Sequence, residues 1–251
     1  MAKERIVHIS NLAKSFGNKK VIEGVSLTLF AGENLVVLGK SGTGKSVIMK
    51  CIVGLLEPDQ GSVNVFGQEV TEADEDQMAA IRSRIGYLFQ EGALYDSMTI
   101  LENMLFPAKR NPETRKLPEK ELTDLAEMNL ENVGLAEAID KMPAELSGGM
   151  KKRAGLARTL MLSPELIIYD EPTTGLDPFT SESISRLIMK VKERYDTSSI
   201  IITHDIECAS ITGDRITVLH EGKLVAEGTI PELKEHPDEN VRLFFTKHAM
   251  P

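Results

Sequence analysis

The chain has 251 residues and a formal net charge of −9. That length suits one large domain or a core with an inserted lobe, and the acidic balance argues against a broad nucleic-acid surface, which needs a basic face. No run reaches the roughly 18 apolar residues of a membrane span. Residues Met1–Arg5 lead into only a short apolar piece, without the pattern of a signal peptide, and Cys51 and Cys208 lack metal-ligand spacing. The expectation is a soluble cytoplasmic protein, still able to dock on a membrane partner.

In chain order, Arg5–Ile9 and Val25–Leu29 alternate apolar and polar residues, as half-buried strands do. Gly17-Asn18-Lys19-Lys20 is the turn between them. Leu35-Val36-Val37-Leu38 is a short apolar run of the kind a buried parallel strand needs. Gly39-Lys40-Ser41-Gly42-Thr43-Gly44-Lys45-Ser46 follows it and fits G-x-x-x-x-G-K-[ST]. Val47–Val53 continues as a helix that stops at Gly54, so the glycines sit where a strand turns into a helix. There the backbone must take unusual dihedrals and come close to a ligand. The turn aims N–H groups and a helix N-terminus at one spot, which suits a phosphate. Lys45 adds a positive charge for the β- and γ-phosphates, and the Ser46 hydroxyl can reach Mg2+. This loop alone specifies only nucleotide binding. Cys51, in the helix after it, reads as a small core residue.

Asp59-Gln60-Gly61 turns into a strand at Val63–Phe66, so the opening third reads as an antiparallel sheet beside the phosphate-loop strand. Ile85–Phe89 reads as the next core strand, ending at Gln90. From about Ser97 to Leu162 the pattern is helical, broken at Arg110-Asn111-Pro112 and Met142-Pro143. Leu117-Pro118-Glu119 opens a helix through Leu122, Leu125, Met128 and Leu130. Ser147 caps another, with apolar positions at Met150, Ala154, Leu156, Ala157, Leu160 and Met161. Gly148 and Gly149 leave its first N–H groups bare, which attracts an anion. Two glycines would otherwise weaken the helix for no return.

Leu166–Tyr169 is a buried strand that delivers Asp170 and Glu171 at its C-terminal end, where open α/β sheets place ligands. Asp170 suits Mg2+ as a hard oxygen ligand, and Glu171 can orient and deprotonate a water for attack on the γ-phosphorus. Adjacent carboxylates at a strand end repel unless a cation is present. Ile184, Leu187, Ile188 and Val191 mark a helix face, and Ile200–Thr203 is a third buried strand. Ile216–His220 and Lys223–Ala226 flank the hairpin turn Glu221-Gly222. The tail from Pro231 to Pro251 is charged and expected to be helical.

Together these stretches resemble the ATP-binding cassette (ABC) ATPases over nearly the whole chain. Gly39–Ser46 matches the Walker A motif and Ile167–Glu171 Walker B. Leu146-Ser147-Gly148-Gly149-Met150 resembles the LSGGQ signature, Gly175-Leu176-Asp177 the D-loop, Gln90 the Q-loop glutamine and His204 the switch histidine. The resemblance implies an α/β P-loop NTPase fold with a RecA-like core, an antiparallel β subdomain and an α-helical subdomain. Residues 1–96 and 163–230 would form the core and β subdomain, 97–162 the helical subdomain and 231–251 a C-terminal tail. It also implies ATP and Mg2+. Phe16 would stack on adenine, and Gly39, Ser41, Gly42, Gly44, Lys45, Ser46 and Val47 would wrap the phosphates. Ser46, Gln90 and Asp170 would serve the metal. Glu171, His204 and Gln90 would carry catalysis, with Gln90 and His204 sensing the γ-phosphate. Ser147, Gly148 and Gly149 would hold the nucleotide of a second copy in a head-to-tail homodimer with two sandwiched ATPs.

A narrower resemblance is to ATPases of the Mla/Mce type, which drive lipid transport in bacteria. It rests on Leu146–Arg153, Phe89–Met98 and Gly175–Ser181. Met150 departs from the family's usual glutamine, and a thioether cannot donate the hydrogen bond of an amide. This resemblance implies an integral membrane permease whose coupling helix docks near Gln90–Met98, on exposed Ala93, Leu94, Tyr95 and Met98. It further implies a substrate-binding Mce-type protein, no nucleic acid, and a place on the cytoplasmic face of the inner membrane. The alternative is a soluble ABC ATPase without a permease, as in iron–sulfur cluster assembly. A P-loop kinase would leave Leu146–Met150 unexplained.

Overall fold

A computed structural model describes residues 3–112 and 114–246. The chain opens with two long antiparallel strands, β1 (Arg5–Phe16) and β2 (Lys19–Phe30), then enters the buried strand β3 (Asn34–Leu38) and helix α1 (Lys45–Ile52). Strands β4 (Gln60–Val65) and β5 (Gln68–Glu69) return to the first pair. Helix α2 (Glu75–Ser83) leads into β6 (Ile85–Leu88). Three helices follow: α3 (Ile100–Ala108), α4 (Glu119–Asn132) and α5 (Gly148–Leu160). The second half alternates: β7 (Leu166–Asp170), α6 (Pro178–Tyr195), β8 (Ser198–Thr203), α7 (Ile206–Thr212), then the hairpin β9 (Arg215–His220) and β10 (Lys223–Gly228). Helices α8 (Ile230–Lys234) and α9 (Glu239–Thr246) close the described chain.

The strands form a four-stranded antiparallel sheet, β2-β1-β4-β5, and a six-stranded sheet, β10-β9-β3-β8-β7-β6. In the larger sheet β9, β3, β8, β7 and β6 run parallel, and only β10 is antiparallel. Its central strands are apolar without alternation because both faces are covered. The two-residue period divides each strand between two cores. Leu35, Val37, Leu166, Ile168, Ile200 and Ile202 join α1 and the antiparallel sheet. Val36, Leu38, Ile167, Tyr169 and Ile201 join the helices on the other face, including α3 to α7.

Helices α2 and α7 carry weak apolar patterns, and the sequence reading passed over both. Capping signals locate them. Asp74 accepts from Gln77 N at 2.8 Å, and the Gln77 side chain accepts from Asp74 N at 2.9 Å, a capping box. Asp205 accepts from Glu207 N at 2.9 Å and Cys208 N at 3.2 Å. Strand β6 ends at Leu88, one residue short of the expected Phe89. The tail is helical in two pieces rather than one, because His236-Pro237 interrupts it. Its last residues, 247–251, lie outside the described set.

Candidate active site

Strands β3, β8 and β7 are neighbours, paired in register at Leu38 with Thr203 and at Asp170 with Ile202. The residues just beyond their C-terminal ends, Gly39, His204 and Glu171, therefore emerge side by side. Parallel pairing thus converges stretches that lie far apart in the chain.

The loop after β3 has the expected form. Gly44 sits at φ 105°, and a Cβ there would lie 2.5 Å from Ile22 Cδ1. Helix α1 begins at Lys45 with no side-chain cap on its N-terminus, so its first N–H groups remain available to an anion. Lys45 is 5% exposed. Its ammonium donates to Gly39 O at 2.7 Å and Lys40 O at 3.0 Å and lies 3.2 Å from Glu171 Oε1. Ser41, Gly42 and Ser46 are exposed, and Val47 is half-buried against the core.

Glu171 is held from every side. Its backbone is left-handed, with φ 49°, an unfavourable conformation that persists only where the surroundings enforce it. Its N–H donates to Ile202 O at 2.9 Å. Its Oε2 accepts from Thr174 Oγ1 at 3.1 Å and from His204 N at 3.3 Å, and lies 2.8 Å from His204 Nδ1. One carboxylate thus joins the phosphate-loop lysine to the histidine beyond β8.

Asp170 is half-buried, and burial pushes its carboxyl above the usual range, partly offset by the Tyr87 hydroxyl, which donates to Oδ2 at 3.1 Å. Burial and Asp170 in turn push the Tyr87 phenol up. Gln90 is exposed just past β6, and Phe16 is 51% exposed at the end of β1. The donors of Ser46, Gln90 and Asp170 are all oxygens, which suits Mg2+. Among the described residues no three His, Cys, Asp or Glu gather into a metal site.

Ser147 and Gly148 are exposed at the start of α5, and the Ser147 hydroxyl accepts from Met150 N at 3.3 Å. Gly149 corrects the view that the pair of glycines serves an anion alone. It is buried, and a Cβ there would lie 2.6 Å from Thr180 Cγ2, so it also permits α5 to approach α6.

The expected docking stretch is only partly exposed. Tyr95 is 45% exposed and Ala93 is exposed, but Leu94 and Met98 are half-buried, and Leu94 packs on the helical core. Phe89, which the sequence reading left inside a strand, is 45% exposed instead. With Tyr95, Phe106, Arg110 and Arg158 it lines a groove of about 550 Å³. The sequence reading also missed Tyr87, Thr174 and Lys152. Their roles arise from strand register and helix packing and leave no local signal.

A family model described as ABC transporter matches residues 22–174. The chain belongs to the ABC transporter family. Its structure is that of an ABC ATPase cassette. It resembles cbiO1 of Clostridium perfringens, part of the ABC transporter complex cbiONQ, with TM-score 0.84 and 26% identity over 99% of this chain and 97% of that one. It also resembles the ATP-binding cassette MJ0796, solved as a dimer bound to ADP and Pi, with TM-score 0.80 and 30% identity over 89% of this chain and 98% of that one. Among curated proteins it is 41% identical over 238 residues to the probable ribonucleotide transport ATP-binding protein mkl of Mycobacterium tuberculosis, covering 95% of this chain and 66% of that protein. It therefore spans about two thirds of the length of the mycobacterial relatives. It is 35% identical over 241 residues to the intermembrane phospholipid transport system ATP-binding protein MlaF of Haemophilus influenzae, covering 96% of this chain and 90% of that protein. No helix among the described residues is long and apolar enough to cross a membrane.

Proposed function

We propose that this ABC ATPase powers lipid transport of the Mla/Mce type, as a homodimer bound to a membrane permease on the cytoplasmic face of the inner membrane. The observation that carries the site reading is the meeting of Lys45, Glu171 and His204 at the ends of three adjacent parallel strands. In this reading the Walker A backbone, from Gly39 through Ser41, Gly42 and Gly44 to Val47, wraps the triphosphate, and Lys45 offsets its charge. Phe16 stacks on the adenine. Ser46, Asp170 and Gln90 would hold a Mg2+, which would supply positive charge against the phosphates. Glu171 orients and deprotonates the attacking water. His204 hydrogen-bonds the γ-phosphate and, through its contact with Glu171 Oε2, orients the base.

Ser147, Gly148 and Gly149 need a phosphate that their own chain's Walker A already encloses, so a second copy supplies it. The dimeric state of the MJ0796 relative with ADP and Pi supports this arrangement. Closure of the two cassettes excludes water and aligns Glu171. Loss of the γ-phosphate contacts reopens the dimer. The division into core, β subdomain, helical subdomain and tail follows the same reading. The groove beside Phe89 and Tyr95 takes the permease's coupling helix, with the exposed aromatics as anchors.

The MlaF relative, matched along 90% of its own length, supports a phospholipid cargo. Relatives of similar identity are a probable ribonucleotide transport ATP-binding protein and a methionine import ATP-binding protein, so the cargo reading needs a direct test. Mass spectrometry of proteins and lipids retained with this chain from solubilised membranes tests the reading. The expected result is an integral permease with an Mce-type protein and bound phospholipid. Soluble assembly proteins alone would refute it.

A further inference from the structure

The described molecule holds one buried ammonium that none of these roles uses. Lys152 lies on α5 and is 5% exposed. Its Nζ donates to the backbone carbonyl of Glu171 at 3.1 Å and to that of Thr174 at 2.9 Å. The Glu171 carbonyl also accepts from Thr174 N at 3.2 Å. Two carbonyls of one tight turn thus share a single cation, and that cation sits on a different element.

This contact bears on the left-handed backbone of Glu171. A strained residue keeps its conformation only when several contacts fix it. Ile202 fixes the Glu171 N–H, while Lys45, His204 and Thr174 fix the carboxylate. The carbonyl is fixed by its own turn and by Lys152. Of these contacts, the one from Lys152 comes from the helix whose first residues are Gly148 and Gly149. A charged donor shared by two carbonyls is stronger than a neutral one and fixes the turn more firmly. Burying an amine here is unfavourable, so an apolar side chain of equal length would serve packing better.

We propose that Lys152 is a positioning residue for ATP hydrolysis, holding the turn from Glu171 to Thr174 so that the Glu171 carboxylate faces the reacting water, and tying that turn to the signature helix. The proposal rests on the reading of Glu171 as the general base. A side chain acting this way affects turnover and the stiffness of the turn, and leaves nucleotide affinity alone.

The test compares the full chain with Lys152→Met and Lys152→Gln in steady-state ATP hydrolysis, and in hydrogen–deuterium exchange of the nucleotide-free proteins. Methionine keeps the length and removes the donor, whereas glutamine restores neutral N–H donors. Displacing a reacting group by an ångström costs up to about a hundredfold. The expected result for Lys152→Met is a kcat lower by about tenfold or more, a KM for ATP within about twofold, and about tenfold faster exchange across residues 171–176. Lys152→Gln recovers part of both losses, and it carries the test alone if Lys152→Met does not fold. Parent-like kcat in the Met variant, a lower kcat with unchanged exchange, or a Gln variant no better than the Met variant would each overturn the proposal. A parent chain without ATP turnover would instead overturn the general-base reading, and this inference with it.

Discussion

Lys45 and Glu171 form an ion pair with little exposure, and each side chain limits where the other can go. Replacing Lys45 by alanine removes both the loop's ammonium and a partner of Glu171. Loss of one such preorganised group typically costs about 10²–10³ in rate. Lys45→Ala is therefore expected to lose ATP turnover while its circular dichroism stays like the parent's; near-normal hydrolysis by the folded variant would refute the site. Lys152 makes a prediction of a different kind. Burial pushes its amine down to about 8, although the Glu171 and Cys208 side chains facing it oppose the shift. In the unfolded chain the same amine holds its proton to about pH 10.5. Between these values the unfolded state binds the extra proton, so stability rises with pH across that window. Below about pH 8 the full penalty of burying the charge remains. Melting temperatures of the parent and Lys152→Met, measured from pH 7 to 9.5, are expected to diverge in the parent's favour above about 8. A constant difference would contradict the shift.

At the scale of elements, α5 and the start of α6 meet through Gly149 and Thr180. Thr180 has little freedom to yield, because its Oγ1 donates to Asp177 Oδ2 at 2.5 Å and its N–H donates to Asp177 Oδ1 at 3.0 Å. An added side chain at Gly149 must therefore push the two helix ends apart. Overpacking of this kind costs about 1–3 kcal/mol, and a β-branched residue gains little helix propensity to offset it. Gly149→Val is expected to destabilise the fold by about 2 kcal/mol in urea titration. A variant as stable as the parent would show that the helices have room to separate. The signature glycines thus combine packing with the proposed contact to a nucleotide.

For the whole molecule, the testable step is the joining of two cassettes. Glu171→Gln keeps the size of the side chain and removes its basicity, so ATP should stay bound without being cleaved. Light scattering of this variant is expected to show more dimer with ATP than with ADP. A chain that remains monomeric at saturating ATP, with its membrane partner present, would count against the sandwich.

The sequence by itself determined the phosphate loop, the two carboxylates after β7 and the buried strands, because each depends on residues adjacent in the chain. A glycine run between strand and helix, or an unbroken apolar stretch, states its local geometry directly. It also marked Ser147 as a cap, and the Asp74 box was readable though passed over. Only the tertiary structure decided that Glu171 touches both Lys45 and His204, that Tyr87 supports Asp170, and that Lys152 reaches under the turn after β7. It also left Leu94 and Met98 half-buried and put Phe89 on the surface. These contacts depend on the order and register of parallel strands and on which faces of the helices are covered, and no short stretch of sequence encodes either.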